Sequence, residues 1–347
     1  MLARVRNIAG AFALSVMALM GGLPASAQIL GFDDLEGWAD DDHRAALSVF
    51  LETCDQLDGP DWAPVCALAP QALQSASAAR SFFELLFRPV LIGAPPALFT
   101  GYYEPELPGS LVRTPRYTYP LYARPPEIRD GTAWLSRREI ESRGALHGRG
   151  LELAWLDDPV EVFFLQVQGS GRIRLPDGSV MRVGYAGRNG HPYRSVGAEM
   201  IRRGSHRPDQ VSAPEIKAWV RRNPAAGMEL LRHNPSFVFF RRLADLPPEK
   251  GPIGAMARSI TTLRSVAVDP AFVPLGAPVW LEKAGSAPMR RLMIAQDTGG
   301  AIKGAQRADI FYGTGVDAGL AAGQIKDGGR MLVLLPIENA FALMAEG

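Results

Sequence analysis

The chain reads as a mainly β protein with some helix, divided into two domains, and three observations carry that reading. Short apolar runs recur along most of the chain and are bounded by glycine and proline, the punctuation expected of strands. Helical periodicity is confined to the N-terminal part and to one middle stretch. At 347 residues the chain is long enough for two cores of ordinary size. Hydrophobic content of 47% and charged content of 21% are those of a globular protein. The formal net charge of +1 provides no field to gather a polyanion, so nucleic acid is not an expected partner.

The first 27 residues are predicted to be a cleaved signal peptide. Arg4 and Arg6 precede an apolar run over 9–20, and Ala25, Ser26 and Ala27 supply a small-x-small cleavage site, so the mature protein is expected to start at Gln28. The run is broken by Gly21, Gly22 and Pro24 and is too short to span a bilayer. No cysteine stands at the cleavage point to take a lipid. A soluble protein of the periplasm is expected, at most peripheral at the outer membrane.

Residues 28–70 are acidic. A helix is predicted over 45–57, started by the aspartates that suit its N-terminal dipole, and a second over 71–87, ended by Pro89. The chain then turns β-rich. An apolar strand is predicted over 162–167, and a hairpin over 172–175 and 179–183, turning at Pro176, Asp177 and Gly178. Residues 195–203, 214–222 and 226–232 read as helices, with Arg202, Arg203, Arg221 and Arg222 on solvated faces. Strands resume over 236–241, 265–268, 278–281, 291–295 and 331–335. No internal repeat or low-complexity linker interrupts them, and Gly251-Pro252 is the expected domain boundary.

Cys54 and Cys66 are the two cysteines. For an exported chain a close pair is expected to form a disulfide, the alternative being two buried thiols. The five histidines, at 43, 147, 191, 206 and 233, have no ligand spacing, so neither a metal nor any other cofactor is expected.

Four segments carry chemistry. Residues 294–315 place Asp297 and Asp309 at the ends of apolar runs, separated by a glycine-rich loop bearing Lys303, which suggests acid–base work by paired carboxylates. Tyr102 and Tyr103 stand beside Glu104. Gln166 and Gln168 are read as ending a strand before the permissive Gly169, Ser170 and Gly171. The loop 185–191 is rich in donors, among them Asn189. Aromatics, amides and carboxylates together suit a polysaccharide, whose rings have apolar faces and polar rims. Each cluster also has a plainer reading: core tyrosines, amides capping backbone, an N-cap region at 191–195, and a turn aspartate at Asp269.

The ordered segments GYYEPE (101–106), QVQGSGRIRLPDG (166–178), YAGRNGHPYRSVG (185–197), NPSFVFF (234–240) and DTGGAIKGAQRADIFYGTG (297–315) resemble the MltA family of lytic murein transglycosylases over about residues 90–337. The last segment, with Asp269, resembles the three-aspartate module that ends those enzymes. The resemblance implies a double-psi β-barrel built from residues 28–103 and 251–347, a β-rich domain inserted at 104–250, and a substrate groove between them. It implies Asp309 as catalyst with Asp297 in support. Thr100, Tyr102, Tyr103, Gln168, Gly169, Ser170, Asn189, Lys303 and Asp269 would bind glycan. The expected partner is the peptidoglycan strand, wall-synthesis or outer-membrane proteins are candidate partners, and a monomer is expected. The sequence departs from enterobacterial members in lacking a lipobox cysteine, and Cys54 and Cys66 lie outside the matched segments.

The implied reaction cleaves the β-1,4 bond between N-acetylmuramic acid and N-acetylglucosamine without water, closing the muramic C6 hydroxyl onto C1. One carboxyl would act as acid and then as base, which requires a raised pKa. Two other readings compete. Asp297-Thr298-Gly299 is the triplet of aspartic proteases, although no second triplet is present, and a barrel of this kind also suits a non-catalytic wall-binding module.

Overall fold

The computed structural model describes residues 26–57, 59–244 and 246–345, so residues 1–25 of the predicted signal segment 1–27 lie outside them. Strand β1 (Ala27–Ile29) pairs with β2 (Phe87–Ile92), and three helices fill the interval: α1 (His43–Leu51), α2 (Trp62–Ala72) and α3 (Ala76–Leu86). Asp42 caps α1, its carboxylate accepting from the Ala45 N–H. The helix predicted over 45–57 stops at Leu51, because the chain tightens into a 3-10 turn at Cys54–Gln56. The helix predicted over 71–87 starts later, at Ala76, because Ser75 caps α3 by accepting from the Ala78 N–H, and α2, which ends at Ala72, was not predicted. Cys54 is joined to Cys66 of α2 with their Cα atoms 5.5 Å apart.

The chain continues through β3 (Leu98–Glu104) and leaves the first sheet. It builds β4 (Glu106–Ser110), β5 (Tyr119–Tyr122), α4 (Arg137–Arg143), β6 (Glu152–Leu156), α5 (Pro159–Gln168), β7 (Gly171–Arg174), β8 (Val180–Arg188), α6 (Val196–Arg202), α7 (Ala213–Arg222), α8 (Pro224–Leu231) and β9 (Val238–Arg242). It returns through β10 (Ser265–Val268), β11 (Pro278–Lys283), β12 (Met289–Thr298), β13 (Arg307–Thr314), α9 (Gly315–Gly323), β14 (Lys326–Asp327), β15 (Gly329–Pro336) and α10 (Ile337–Ala345). Among the described residues two sheets result. One has nine strands in the order β1-β2-β15-β11-β12-β10-β13-β3-β14, and the other six in the order β5-β6-β4-β7-β8-β9.

The strand predicted over 162–167 is the helix α5. Its β-branched and aromatic run imitates a buried strand, but Asp158 accepts from the Val160 N–H, Pro159 opens the first turn, and Gly169 closes the helix at φ +80°. Both glutamines therefore belong to a helix end, not to one strand face.

The middle of the larger sheet is buried on both sides. Trp280, Leu292, Ile294, Leu332 and Leu334 pack with Trp38, Phe50 and Phe83 from the helical side, while Val279, Leu281, Met293, Val333 and Leu335 pack with Phe99, Val266 and Ile310 on the other. Strands covered on both faces need continuous apolar runs, which explains the unbroken ones of β11 and β15. Each fully buried large apolar side chain contributes about 1.5–3 kcal/mol.

This sheet is strongly curved. β3 and β12 stand three strands apart, roughly 14 Å in a flat sheet, yet the Tyr102 hydroxyl of β3 lies 2.9 Å from Asp297 Oδ2 of β12. Close packing of α9 beneath β3 helps hold the bend: a Cβ on Gly101 would stand 2.7 Å from the Ala322 Cα. At the joint of the two sheets Glu104 is wholly buried. It accepts from Arg172 Nε (2.9 Å), Arg182 Nη2 (2.8 Å) and Thr314 Oγ1 (2.9 Å).

Candidate active site

β10 runs between β12 and β13, and its Ala267 pairs with Asp297 on one side and Asp309 on the other. Beyond β13, Asp309 pairs with Thr100 of β3. Asp297, Ala267, Asp309 and Thr100 thus form a row across four strands, placing the two aspartate Cα atoms roughly 10 Å apart along the sheet, with only an alanine methyl between. Tyr102, Phe311, Ile302 and Ile260 form an apolar cluster with Ala267. Polar chemistry is set on a dry floor.

Each carboxyl is partly exposed and differently held. Asp309 Oδ1 accepts from Thr100 Oγ1 at 2.5 Å, and Thr100 Oγ1 accepts from Arg307 Nη2 at 2.8 Å. Asp297 Oδ2 accepts from Tyr102, while its Oδ1 accepts from the N–H groups of Thr298 (2.9 Å) and Ala255 (3.1 Å). Burial pushes the Asp309 carboxyl above its ordinary range, against the Thr100 hydrogen bond and the Arg307 charge. Burial also pushes Asp297 up to about 6, against its three hydrogen bonds and with help from the Asp309 charge. The Tyr102 hydroxyl is driven well up by burial and by the two carboxylates, so it stays a neutral donor. A carboxyl kept protonated toward neutral pH at a solvent-facing edge can serve as a general acid.

The remaining predicted residues divide between the site, its support and other places. Asp269, buried at the end of β10, accepts from Lys303 Nζ (3.1 Å) and the Gly304 N–H (2.9 Å), and so pins the 299–304 loop. Burial works against its charge, but these donors hold it below the ordinary carboxylate range. Lys303 is otherwise mostly exposed. Tyr103 lies on the opposite face of β3 from Thr100 and Tyr102. Its ring packs on Gly319, and its N–H donates to Gln168 Oε1 at 3.1 Å. Both residues line a separate cleft of about 460 Å³ with Gly101, Pro214 and Lys217. They do not join the carboxylates. Gly169 and Ser170 follow them at the end of α5, with Ser170 buried.

Asn189, expected at the sugar groove, is a structural pin instead. It is wholly buried, donates both amide hydrogens to the Leu135 and Pro235 carbonyls, and accepts from the Phe237 N–H, so its nitrogen is fully used and burial closes its oxygen to a ligand. Gln166 is likewise buried, accepting from Arg137 Nη2 at 2.6 Å. The Ala255 amide and Arg307 were missed. Arg307 had a signal in the sequence, because it stands two residues before Asp309 and therefore on the same strand face. Among the described residues, no cluster of His, Cys, Asp and Glu has metal-binding geometry.

Comparison with known proteins gives two family matches: the MltA specific insert domain over residues 98–241 and the 3D domain over residues 264–335. The chain is 37% identical over 250 residues to membrane-bound lytic murein transglycosylase A of Escherichia coli K12, a match covering 68% of this chain and 65% of that protein. It therefore spans less than two thirds of that relative's length. Among solved structures, a membrane-bound lytic murein transglycosylase from Agrobacterium tumefaciens superposes with a TM-score of 0.82 at 32% identity, covering 92% of this chain and 99% of that one. E. coli MltA with bound chitohexaose superposes with a TM-score of 0.70 at 30% identity, covering 90% and 95%.

Proposed function

The chain belongs to the MltA family of lytic murein transglycosylases, and from that premise we propose that it cleaves peptidoglycan between N-acetylmuramic acid and N-acetylglucosamine and leaves 1,6-anhydromuramic ends. The observation that carries this reading is the row of Asp297, Ala267, Asp309 and Thr100 across one curved sheet. Asp309 is the catalyst. Protonated, it donates to the glycosidic oxygen as the bond breaks; as a carboxylate it accepts the proton of the muramic C6 hydroxyl as that oxygen closes on C1. No water enters, and the carboxyl ends the cycle protonated as it began. Asp297 supports it, held by Tyr102 and two backbone amides and biased toward its neutral form, so that two adjacent charges do not build up.

We read the curved nine-stranded sheet as a double-psi β-barrel, formed by residues 28–103 and 251–347, with 104–250 inserted and the glycan strand lying between the two bodies. Glu104 holds the joint that sets this groove. The bound chitohexaose of the E. coli relative supports a glycan ligand. Export to the periplasm is part of the proposal; among the described residues no helix is long and apolar enough to cross a membrane. Purified peptidoglycan digested with the protein and weighed by mass spectrometry tests the reading. Anhydromuropeptides support it, cut stem peptides would indicate a protease, and no product would indicate a binding module.

A further inference from the structure

A hydroxyl has one proton, and at Thr100 two neighbours compete to decide where it points. Arg307 carries only donors, so the Thr100 oxygen must accept from Arg307 Nη2 and send its proton to Asp309 Oδ1. The guanidinium is itself fixed: its Nη1 donates to the carbonyls of Leu98 (3.2 Å) and Ala308 (2.5 Å), one on each of the paired strands β3 and β13. Asp309 Oδ1 is thereby occupied as an acceptor. Its Oδ2 has no hydrogen-bond partner among the described residues, although the carboxyl is partly exposed.

We propose that Arg307 is a positioning residue, which orients the Thr100 hydroxyl so that the transferable proton of Asp309 resides on Oδ2, the open oxygen. This rests on the reading of Asp309 as acid and then base, and goes beyond it by assigning the proton to one oxygen and the control of it to one arginine. Without Arg307, Thr100 is free to accept from a protonated Asp309, which would turn the acidic proton inward, away from the glycosidic oxygen. After proton donation the same chain, Arg307 to Thr100 to Asp309, stabilises the carboxylate that must next act as a base. The arginine also opposes the upward push of burial, keeping the carboxyl able to release its proton. Other titratable groups near Asp309 are Asp297 from β12, Tyr102 from β3 and Tyr312 of its own strand, each of which feels its charge. Lys326 of β14 pairs beside Thr100. None of these makes a hydrogen bond to Thr100 Oγ1 or to the Asp309 carboxyl.

The test is a double-mutant cycle of Arg307→Met and Thr100→Val, read by anhydromuropeptide release against pH and by the carbon-13 titration of the Asp309 carboxyl. Arg307→Met is expected to raise the Asp309 titration by about one pH unit and to lower the plateau of turnover by about tenfold. Arg307→Lys should restore the titration. In a Thr100→Val background, Arg307→Met should cost little further turnover, because the relay is already cut. Thermal melts and pelleting with peptidoglycan check that each variant folds and binds. An unmoved titration, or losses that add fully in the double variant, would overturn the proposal and leave Arg307 as a tie between two strands. The carboxyl titration reads out without turnover, and it decides the matter through the double variant. A shift from Arg307→Met that shrinks in the Thr100→Val background supports the relay, and an undiminished one means that the arginine acts by charge alone. A wild-type protein that releases no product would count against the activity alone.

Discussion

The Tyr102 hydroxyl donates to Asp297 Oδ2 at 2.9 Å, joining strands that stand three places apart in the sheet. This contact reports the curvature of the sheet and is one of three hydrogen bonds that oppose the effect of burial on the Asp297 carboxyl. Removing it in Tyr102→Phe should push Asp297 further above about 6, since one of the three donors that oppose burial is lost. Turnover is expected to fall several-fold, with little change in binding to insoluble peptidoglycan. Parallel pelleting and product-release assays measure the two effects.

The raised carboxyl also governs stability. Asp297 has a folded pKa of about 6 against an unfolded value near 3.8, so the folded state holds its proton more tightly. The stability gained from the protonated form is full below the unfolded value and is lost as pH rises through about 6. Asp297→Asn removes that loss. Its melting temperature should exceed that of the wild-type protein at pH 7.5 and match it near pH 3.5, and a difference that is constant across this range would contradict the assignment.

Glu104 should matter for architecture. It is wholly buried between Arg172 and Arg182, from the smaller sheet, and Thr314 from the larger. Glu104→Gln leaves two arginines facing an amide, and urea denaturation should register a loss of roughly 3–5 kcal/mol. A loss below about 1 kcal/mol would mean that the joint is held by other contacts.

Cys54 and Cys66 are expected to resist thiol reagents in the denatured, unreduced protein, with no free thiol detected. The pair closes a short loop between two segments of the helical layer. Replacing both with serine should cost about 2–4 kcal/mol, measured by the same denaturation. Two titratable thiols in the unreduced chain would refute the pairing.

What the sequence made legible followed local chemistry. The strands around Val266, Val279, Met293 and Val333 were plain from their apolar runs, and the hairpin was plain from Pro176, Asp177 and Gly178. The helix α5 was misread because Val160, Phe163, Phe164 and Val167 suit either state. The deciding marks were at its ends, Asp158-Pro159 and Gly169. Asp297 and Asp309 stood out in one motif, but nothing local could place Ala267 between them or bring Thr100 beside Asp309. Those neighbours arise from pairings across long sequence separations. Asn189 misled for the opposite reason: a polar residue in a donor-rich loop resembles a ligand-binding group until its partners are seen to be Leu135, Pro235 and Phe237.

The central claim is that Asp309 alone performs both proton transfers, and the release of anhydromuropeptides by Asp309→Asn tests it most directly. An amide can neither donate that proton nor accept it. Turnover should therefore drop by at least about 10²–10⁴-fold, while the variant melts as a folded protein and still pellets with peptidoglycan. Release at the wild-type rate from this variant would contradict the account and transfer the chemistry to Asp297.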